Sequence, residues 1–308
     1  MKVLVTGGAG YLGTELVGAL AREPSVTEVV VYDNLSRRNH NLFVAEQMAG
    51  KPIRFVQGDI LDTRTLEKLV AEADSVAHLA ARVSTPFADQ DFHGMDQVNH
   101  WGTAELAYLL RKHPGKRLMY VSSASVYGAS DAPLSHDSSP SPKTAYGISK
   151  YRGEQALTTL GDETEVVVLR CANVYGYSRS MRFEAVINRF MFEAQFNGRV
   201  TVHGSGEQHR AFVHVDNATR VFKAALLGDV PSGTYHLVER NLSILKVTES
   251  LMSVYPKVEM IFIEQDMRLR NLLLGPDPRL EELGLFEPGD FVEQLGQFAS
   301  CFSFKPPL

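Results

Sequence analysis

The sequence predicts an α/β fold, a doubly wound parallel sheet followed by a smaller mixed α/β C-terminal lobe. Three observations carry this. Short Val/Ile/Leu-rich runs recur at 3–6, 28–32, 53–57, 75–78, 117–122 and 165–169, each brief enough to be a strand buried on both faces. Helical patterns at 12–22, 65–73, 96–112 and 145–159 alternate with them, as right-handed βαβ crossovers require. A glycine-rich turn joins the first strand to the first helix, where such sheets hold their ligands.

After residue 169 the rhythm breaks. Residues 184–196 read as helix, then Gly198–Gly206 and Pro231–Gly233 punctuate short strands. The expected division is a nucleotide-binding domain over 1–170, with segments from about 207–240 returning to it. A substrate-binding lobe then takes 171–206 and 241–308. The chain of 308 residues is 44% hydrophobic and 22% charged, enough for a sizeable core. A net charge of -5 gives no pull towards nucleic acid or anionic membrane, so neither partner is expected. The two cysteines, Cys171 and Cys301, have no metal or redox spacing, which suits a reducing cytosol and predicts no metal. No apolar run approaches the ~20 residues that span a bilayer. The first residues already read as strand, leaving no room for a signal peptide, so a cytoplasmic location is expected.

The glycine loop is Thr6-Gly-Gly-Ala-Gly-Tyr-Leu-Gly13. Its glycines serve a tight turn, close approach of backbone to a pyrophosphate, and helix–strand packing. The helix that follows presents free N–H groups and a positive dipole end to phosphate. Asp33 ends the second strand, where a carboxylate accepts ribose hydroxyls and repels a 2′-phosphate, so NAD is favoured over NADP. Arg37 and Arg38 stand close by and could accommodate that phosphate, with solvated loop positions as the competing reading. Asp59 follows the third strand, placed either to meet the adenine or to cap the next helix.

Ala145-Tyr-Gly-Ile-Ser-Lys150 places Tyr146 and Lys150 four apart on a predicted helix, hence on one face. A phenolate base at neutral pH must drop about three units, or ~4 kcal/mol, below free tyrosine. A lysine cation about 4 Å away supplies that much at an effective dielectric near 20. Tyr146 then takes a hydroxyl proton as hydride leaves the same carbon. Val121-Ser-Ser-Ala-Ser-Val-Tyr-Gly128 sets serines at the end of the fifth strand, where one can hold that hydroxyl.

In combination these blocks resemble the extended short-chain dehydrogenase/reductase family, in its nucleotide-sugar epimerase/dehydratase group. The resemblance spans nearly the whole chain. It runs through Tyr32-Asp-Asn-Leu-Ser36, Gly58-Asp-Ile60, His78-Leu-Ala-Ala81, Val98-Asn99 with Gly102-Thr103, 169–176 and 210–216. It implies a Rossmann domain in the first 170 residues, NAD as cofactor and a UDP- or dTDP-linked sugar as substrate. Tyr146 would be the general base, Lys150 its partner and Ser123 the hydroxyl donor. The implied cofactor site comprises Gly7, Gly10, Tyr11, Leu12, Asp33, Asn34, Ser36, Arg37, Asp59 and Ile60. It continues with Leu79, Ala80, Ala81, Asn99, Ser122, Tyr146, Lys150 and Cys171. Ser84, Ser123, Asn173, Arg210 and Arg268 would bind substrate. Ala211 stands where the family usually has an acid, and Cys171-Ala172 are smaller than the usual residues before the asparagine.

Within that group the residues after the serine divide the chemistries. Elimination of water needs an added acid and base, and this chain has Ala124 and Ser125 there. The expected reaction is 4-epimerisation through a transient 4-keto sugar. The alternatives are an NAD(P)H-dependent 4-ketosugar reductase and, from a different class, a non-catalytic cofactor-sensing module. The resemblance also implies a homodimer that pairs the helices at 96–112 and 145–159.

Overall fold

The computed structural model describes residues 1–44, 51–83, 91–264, 269–287 and 289–304. β1 (Lys2–Thr6), α1 (Tyr11–Ala21), β2 (Glu28–Asp33), β3 (Ile53–Gln57), α2 (Thr63–Glu72) and β4 (Ser75–His78) come first. α3 (Phe92–Met95) and α4 (Gly102–Lys112) are joined through a π-helical turn over Asp96–Trp101. β5 (Arg117–Ser123), β6 (Ser130–Leu134), α5 (Ala145–Leu157) and β7 (Glu165–Cys171) follow. Next are β8 (Asn173–Tyr175), α6 (Val186–Asn197), β9 (Arg199–His203), β10 (His209–His214), α7 (Val215–Leu227) and β11 (Gly233–Leu237). β12 (Arg240–Ser243), α8 (Ile244–Val254), β13 (Glu259–Ile263), β14 (Leu272–Leu274), α9 (Pro278–Glu282) and α10 (Phe291–Ser300) complete the order.

Seven strands form one sheet in the order β3-β2-β1-β4-β5-β7-β11, with every neighbouring pair parallel. The order reverses between β1 and β4, and that switch point opens a crevice at the carboxyl ends. Side chains alternate across the sheet. Val3, Val5 and Val31 face a core shared with Leu16 and Leu20 of α1 and Phe222 of α7. Leu4, Val30 and Tyr32 face the other core, with Leu66 of α2 and Leu106 and Leu110 of α4. Both faces being covered explains the unbroken apolar runs in the sequence.

Most boundaries fall within two residues of expectation, and three differences bear on the site. The helix expected from 96 begins a turn earlier, at Phe92. α5 ends at Leu157 rather than 159. β7 continues two residues past Leu169, because Arg170 is accepted into the interior by partners remote in sequence.

A second sheet holds β12, β10, β14 and β6, with β8 also paired to β10, and β13 pairs with β9 in a third. Phe190, Met191, Phe212, Leu251, Phe291 and Leu295 fill the core beneath them. β11 and α7 belong to the large sheet, whereas β10, immediately before α7, lies in the second. The chain thus passes between the two cores more than once.

A buried ionic network fastens α5 to the sheet. Arg170 of β7 and Glu154 of α5 are paired at 2.7 Å with side chains 9% and 8% exposed. The Arg170 Nε also donates to Glu154 Oε1 at 3.1 Å, and its Nη1 donates to the Tyr127 hydroxyl at 2.6 Å. Ser122 donates to the same Glu154 carboxylate. Tyr127, having accepted from Arg170, donates to His236 Nε2 at 2.6 Å, and His236 Nδ1 donates to the Gly275 carbonyl at 3.1 Å. Removing one partner of a buried pair leaves a charge uncompensated, a loss of about 3–5 kcal/mol. Arg170→Met should therefore destabilise the protein by about that amount in urea titrations, and Arg170→Met combined with Glu154→Leu should recover most of it. A double variant no more stable than the single one would contradict this reading.

Candidate active site

At the carboxyl end of β1 the chain turns through Gly7, whose φ of +73° is left-handed. A Cβ there would lie 2.6 Å from the Ala80 nitrogen, so only glycine lets the loop settle against the end of β4. Gly13 is equally confined, because a Cβ would run into the Gly7 carbonyl. Gly10 is the N-cap of α1 in extended backbone and supplies no side-chain cap. The first N–H groups of the helix therefore have neither an intrahelical nor a side-chain acceptor. Such a backbone cradle fits a pyrophosphate.

The Asp33 carboxylate ties this loop to β2. Its Oδ2 accepts from Ala9 N at 3.0 Å and its Oδ1 from Leu35 N at 2.8 Å. Each oxygen keeps a further lone pair, enough for ribose hydroxyls. Asn34 donates to Asp59 Oδ2 at 2.9 Å, and its Oδ1 accepts from Ser36 N at 3.0 Å. Asp59 is not the helix cap that its position allowed: Asp62 caps α2 through Thr65 N. Arg37 is paired with Glu184 at 2.8 Å, so its guanidinium is engaged by a carboxylate rather than open to a 2′-phosphate.

Several implied cofactor residues turn their side chains elsewhere. The Tyr11 hydroxyl donates to the Gly176 carbonyl at 2.8 Å, leaving its N–H for a ligand. Ile60 packs in the core against Gly102. The Ser122 hydroxyl donates to the Glu154 carboxylate and so belongs to that network. The Asn99 carboxamide is used three ways, by Arg82 N at 2.8 Å, Arg82 O at 2.9 Å and Ser149 Oγ at 2.9 Å. Leu12 is half-buried in the first turn of α1, and Leu79 and Ala81 flank Ala80 at the end of β4. Ser84 and Arg268 lie outside the described residues.

Tyr146 stands in the first turn of α5, which is capped by the Thr144 hydroxyl accepting from Gly147 N at 3.0 Å. Burial raises its phenol above the ordinary value, against the lowering pull of the Arg182 guanidinium and a hydrogen bond with Ser123. Ser123 also ends β5 and caps the single turn over Ala124–Tyr127, accepting from Ser125 N at 3.2 Å. The structure departs here from the expectation of a phenol lowered by Lys150. The lysine is only 2% exposed, and its Nζ lies 4.1 Å from the centroid of the Tyr120 ring. Burial pulls its pKa down to about 7, opposed chiefly by the charge of Glu154. Cys171 is pushed up to about 12 by burial, so it is a neutral thiol.

Arg182 is the residue that sequence reasoning missed. It lies in the loop between β8 and α6, and its carbonyl accepts from Asn188 Nδ2 at 3.1 Å. Burial lowers its pKa while Tyr146 raises it. No spacing rule flags one arginine in an irregular loop. The only signal was its place soon after the 169–176 block.

On the opposite wall β8 pairs in parallel with β10, which sets Asn173 opposite Phe212 and two residues from the Arg210 position. Asn173 donates to the Ala211 carbonyl at 3.0 Å. Arg210 donates to the carbonyls of His209 and Arg270. Burial lowers its pKa, and among the described residues no carboxylate forms an ion pair with it.

The fold and the glycine cradle define a dinucleotide-binding protein. Residues 3–237 match the model of the NAD dependent epimerase/dehydratase family, and the chain belongs to that family, with NAD as its cofactor. It is 33% identical over 254 residues to a dTDP-glucose 4,6-dehydratase of Actinoplanes sp., covering 77% of this chain and 76% of the relative. It is 30% identical over 230 residues to a putative UDP-glucose 4-epimerase of Methanocaldococcus jannaschii, covering 73% of each. Among solved structures, UDP-glucuronic acid 4-epimerase from Bacillus cereus, in complex with UDP-glucuronic acid and NAD, superposes with a TM-score of 0.84 at 25% identity. That match covers 97% of this chain and 98% of the other.

The lowered Lys150 has a consequence for stability. The unfolded chain holds a proton that the folded chain has released between pH 10.5 and about 7. The wild type therefore loses stability as pH falls through that window. Lys150→Met removes the titration, so its melting temperature should gain on the wild type as pH is lowered from about 10.5 to about 7. A difference that stays constant with pH would show that the lysine titrates normally.

Proposed function

We propose that the protein is an NAD-dependent 4-epimerase of a UDP- or dTDP-linked sugar. The observation that carries this is the make-up of the reacting corner. Among the described residues the groups acting on the Tyr146 phenol are Arg182, Ser123 and Cys171, none of them a carboxylate. Ala124 and Ser125 occupy the turn where an eliminating enzyme needs an acid and a base. The site can move one proton at Tyr146 and hold one hydroxyl at Ser123, which suffices for oxidation at C4 and its reversal. NAD, when bound, would supply the hydride-accepting and hydride-donating chemistry. Burial alone keeps the Tyr146 phenol protonated. The positive charge of an oxidised nicotinamide would favour its ionised form. As phenolate it would take the C4 hydroxyl proton and give it back, while Ser123 holds that oxygen. Asn173 and Arg210 hold the nucleotide diphosphate, where the guanidinium fork matches phosphate oxygens. Several relatives are dTDP-glucose 4,6-dehydratases, and the epimerase reading rests against them on Ala124 and Ser125, which supply no acid–base pair. The one-way reductase reading leaned on Arg37 and Arg38, and the Arg37–Glu184 pair at 2.8 Å takes support from it.

The test is a panel of UDP-, dTDP- and GDP-sugars offered to the purified holoprotein without added cofactor. Interconversion of C4 epimers is expected, abolished in Tyr146→Phe while NAD stays bound. A 4-keto-6-deoxy product, or stoichiometric consumption of reduced cofactor, would sink the proposal.

We also infer a homodimer built on the α4 and α5 faces. Trp101 and Tyr108 are 59% and 46% exposed, about two helical turns apart, and Phe92 is exposed beside Arg152 of α5. Trp101→Glu should shift sedimentation from dimer to monomer at micromolar concentration. A wild type that already sediments as a monomer would remove the inference.

A further inference from the structure

His78 ends β4 in the wall of the dinucleotide crevice, and nothing in the proposed chemistry uses it. It is 1% exposed, and its hydrogen bonds fix its tautomer. Thr103 Oγ1 spends its one proton on the Asn99 carbonyl at 2.6 Å, so towards His78 it can only accept. His78 Nε2 at 3.0 Å from that oxygen is therefore the protonated nitrogen, and Nδ1 accepts from Thr6 Oγ1 at 2.8 Å. The Thr6 oxygen in turn accepts from Ala80 N at 3.4 Å. In the other direction Asn99 Nδ2 donates to Ser149 Oγ at 2.9 Å, and Ser149 Oγ donates to the Tyr146 carbonyl at 2.9 Å. All five side chains of this path are buried.

The path starts at Ala80, the residue against which Gly7 closes, and finishes in the first turn of α5, which carries Tyr146 and leads to Lys150. The imidazole also stacks on Tyr120 at 5.5 Å, and Tyr120 is the ring beneath Lys150. Each bond has one permitted direction, so the path has a single register. The π-helical turn over Asp96–Trp101 serves the same end, because it sets Asn99 where its carboxamide reaches Arg82 and Ser149 together.

We propose that His78 is a positioning residue that fixes the separation between the cofactor loop at Ala80 and the catalytic helix at Tyr146, acting through Thr6 on one side and Thr103 and Asn99 on the other. Burial and the nearby Lys150 lower the imidazole pKa to about 3, so it keeps this neutral tautomer across the working range. The proposal rests on the hydride-transfer reading above, since it is the relation of cofactor to phenol that His78 would set.

The test compares wild-type holoprotein with His78→Leu, Thr103→Val and Thr103→Ser on the nucleotide sugar that the wild type turns over. Misplacing reacting groups by about 1 Å slows a reaction by up to roughly 100-fold. A fall in kcat of about 10- to 100-fold is therefore expected in His78→Leu and Thr103→Val, with KM and bound NAD unchanged and Thr103→Ser close to wild type. Unchanged kcat, a loss that only tracks lost NAD, or Thr103→Val and Thr103→Ser behaving alike would overturn it. If His78→Leu does not fold, the two Thr103 variants decide. A wild type that turns over no nucleotide sugar sinks the epimerase reading and leaves hydrogen exchange to judge the path. Thr103→Val, and not Thr103→Ser, must then speed exchange of the Ala80 amide, and equal rates would refute the connection.

Discussion

An ammonium group placed over a tyrosine ring in the interior is the constraint on which the catalytic half depends. Taking such a charge out of water costs several kcal/mol unless its surroundings answer it. Here the answer is divided. The Tyr120 ring offers its face at 4.1 Å, and Glu154 offers negative charge from one turn further along α5. Glu154 is itself shared with Arg170 and Ser122, so its pull on Lys150 is diluted. Two further groups near the lysine are neutral: a thiol held protonated, and an imidazole held uncharged. The result is a cation whose proton is contested near pH 7, in the range where the protein would work. A lysine in that condition responds to any charge brought beside it.

Much of this was legible in the sequence, and the limits have physical causes. β1 to β5 announced themselves because strands buried on both faces leave continuous apolar runs between helical patterns. The glycine loop was legible because Gly7 and Gly13 are positions that no Cβ can occupy. β6, β8 and β14 were not legible. They are short, and β14 finds β6 across some 140 residues of chain, a pairing that local propensity does not encode. β7 seemed to end at Leu169 because a charge usually marks the surface, and Arg170 is buried only because Glu154 and Tyr127 meet it there. The four-residue spacing of Tyr146 and Lys150 places their backbone positions correctly. It does not say where a flexible stem carries its nitrogen, and here that is Tyr120. Asp59 and Asp62 both precede α2, and only geometry chose the second as the cap.

The loop that carries Arg182 is held from the cofactor side. Ser178 Oγ donates to the Tyr11 carbonyl at 2.9 Å, Thr14 donates to Ser180 Oγ at 2.8 Å, and Arg179 N donates to Glu15 at 3.1 Å. Helix α1 thus does two jobs, offering its N-terminus to a pyrophosphate and fastening this loop along its flank. The helix thereby helps to hold the loop whose Arg182 acts on the Tyr146 phenol. The small side chains of Ser178 and Ser180 make this possible, since they let the loop approach the helix within hydrogen-bond distance.

The place of β11 at the end of the large sheet bears on how the chain is made. β7 pairs along its far edge only with Gly233–Leu237, and α7 covers the same sheet from residues 215–227. Until residues 215–237 have left the ribosome, the edge of β7 has no partner and one face of the sheet lacks one of its helices. Segments of the second core have by then already emerged ahead of them. The nascent chain must hold an incomplete sheet with a bare strand edge for that interval, which is when unwanted strand pairing between chains is easiest. Arg170, sitting in that bare strand, keeps it from being a purely apolar template during the wait.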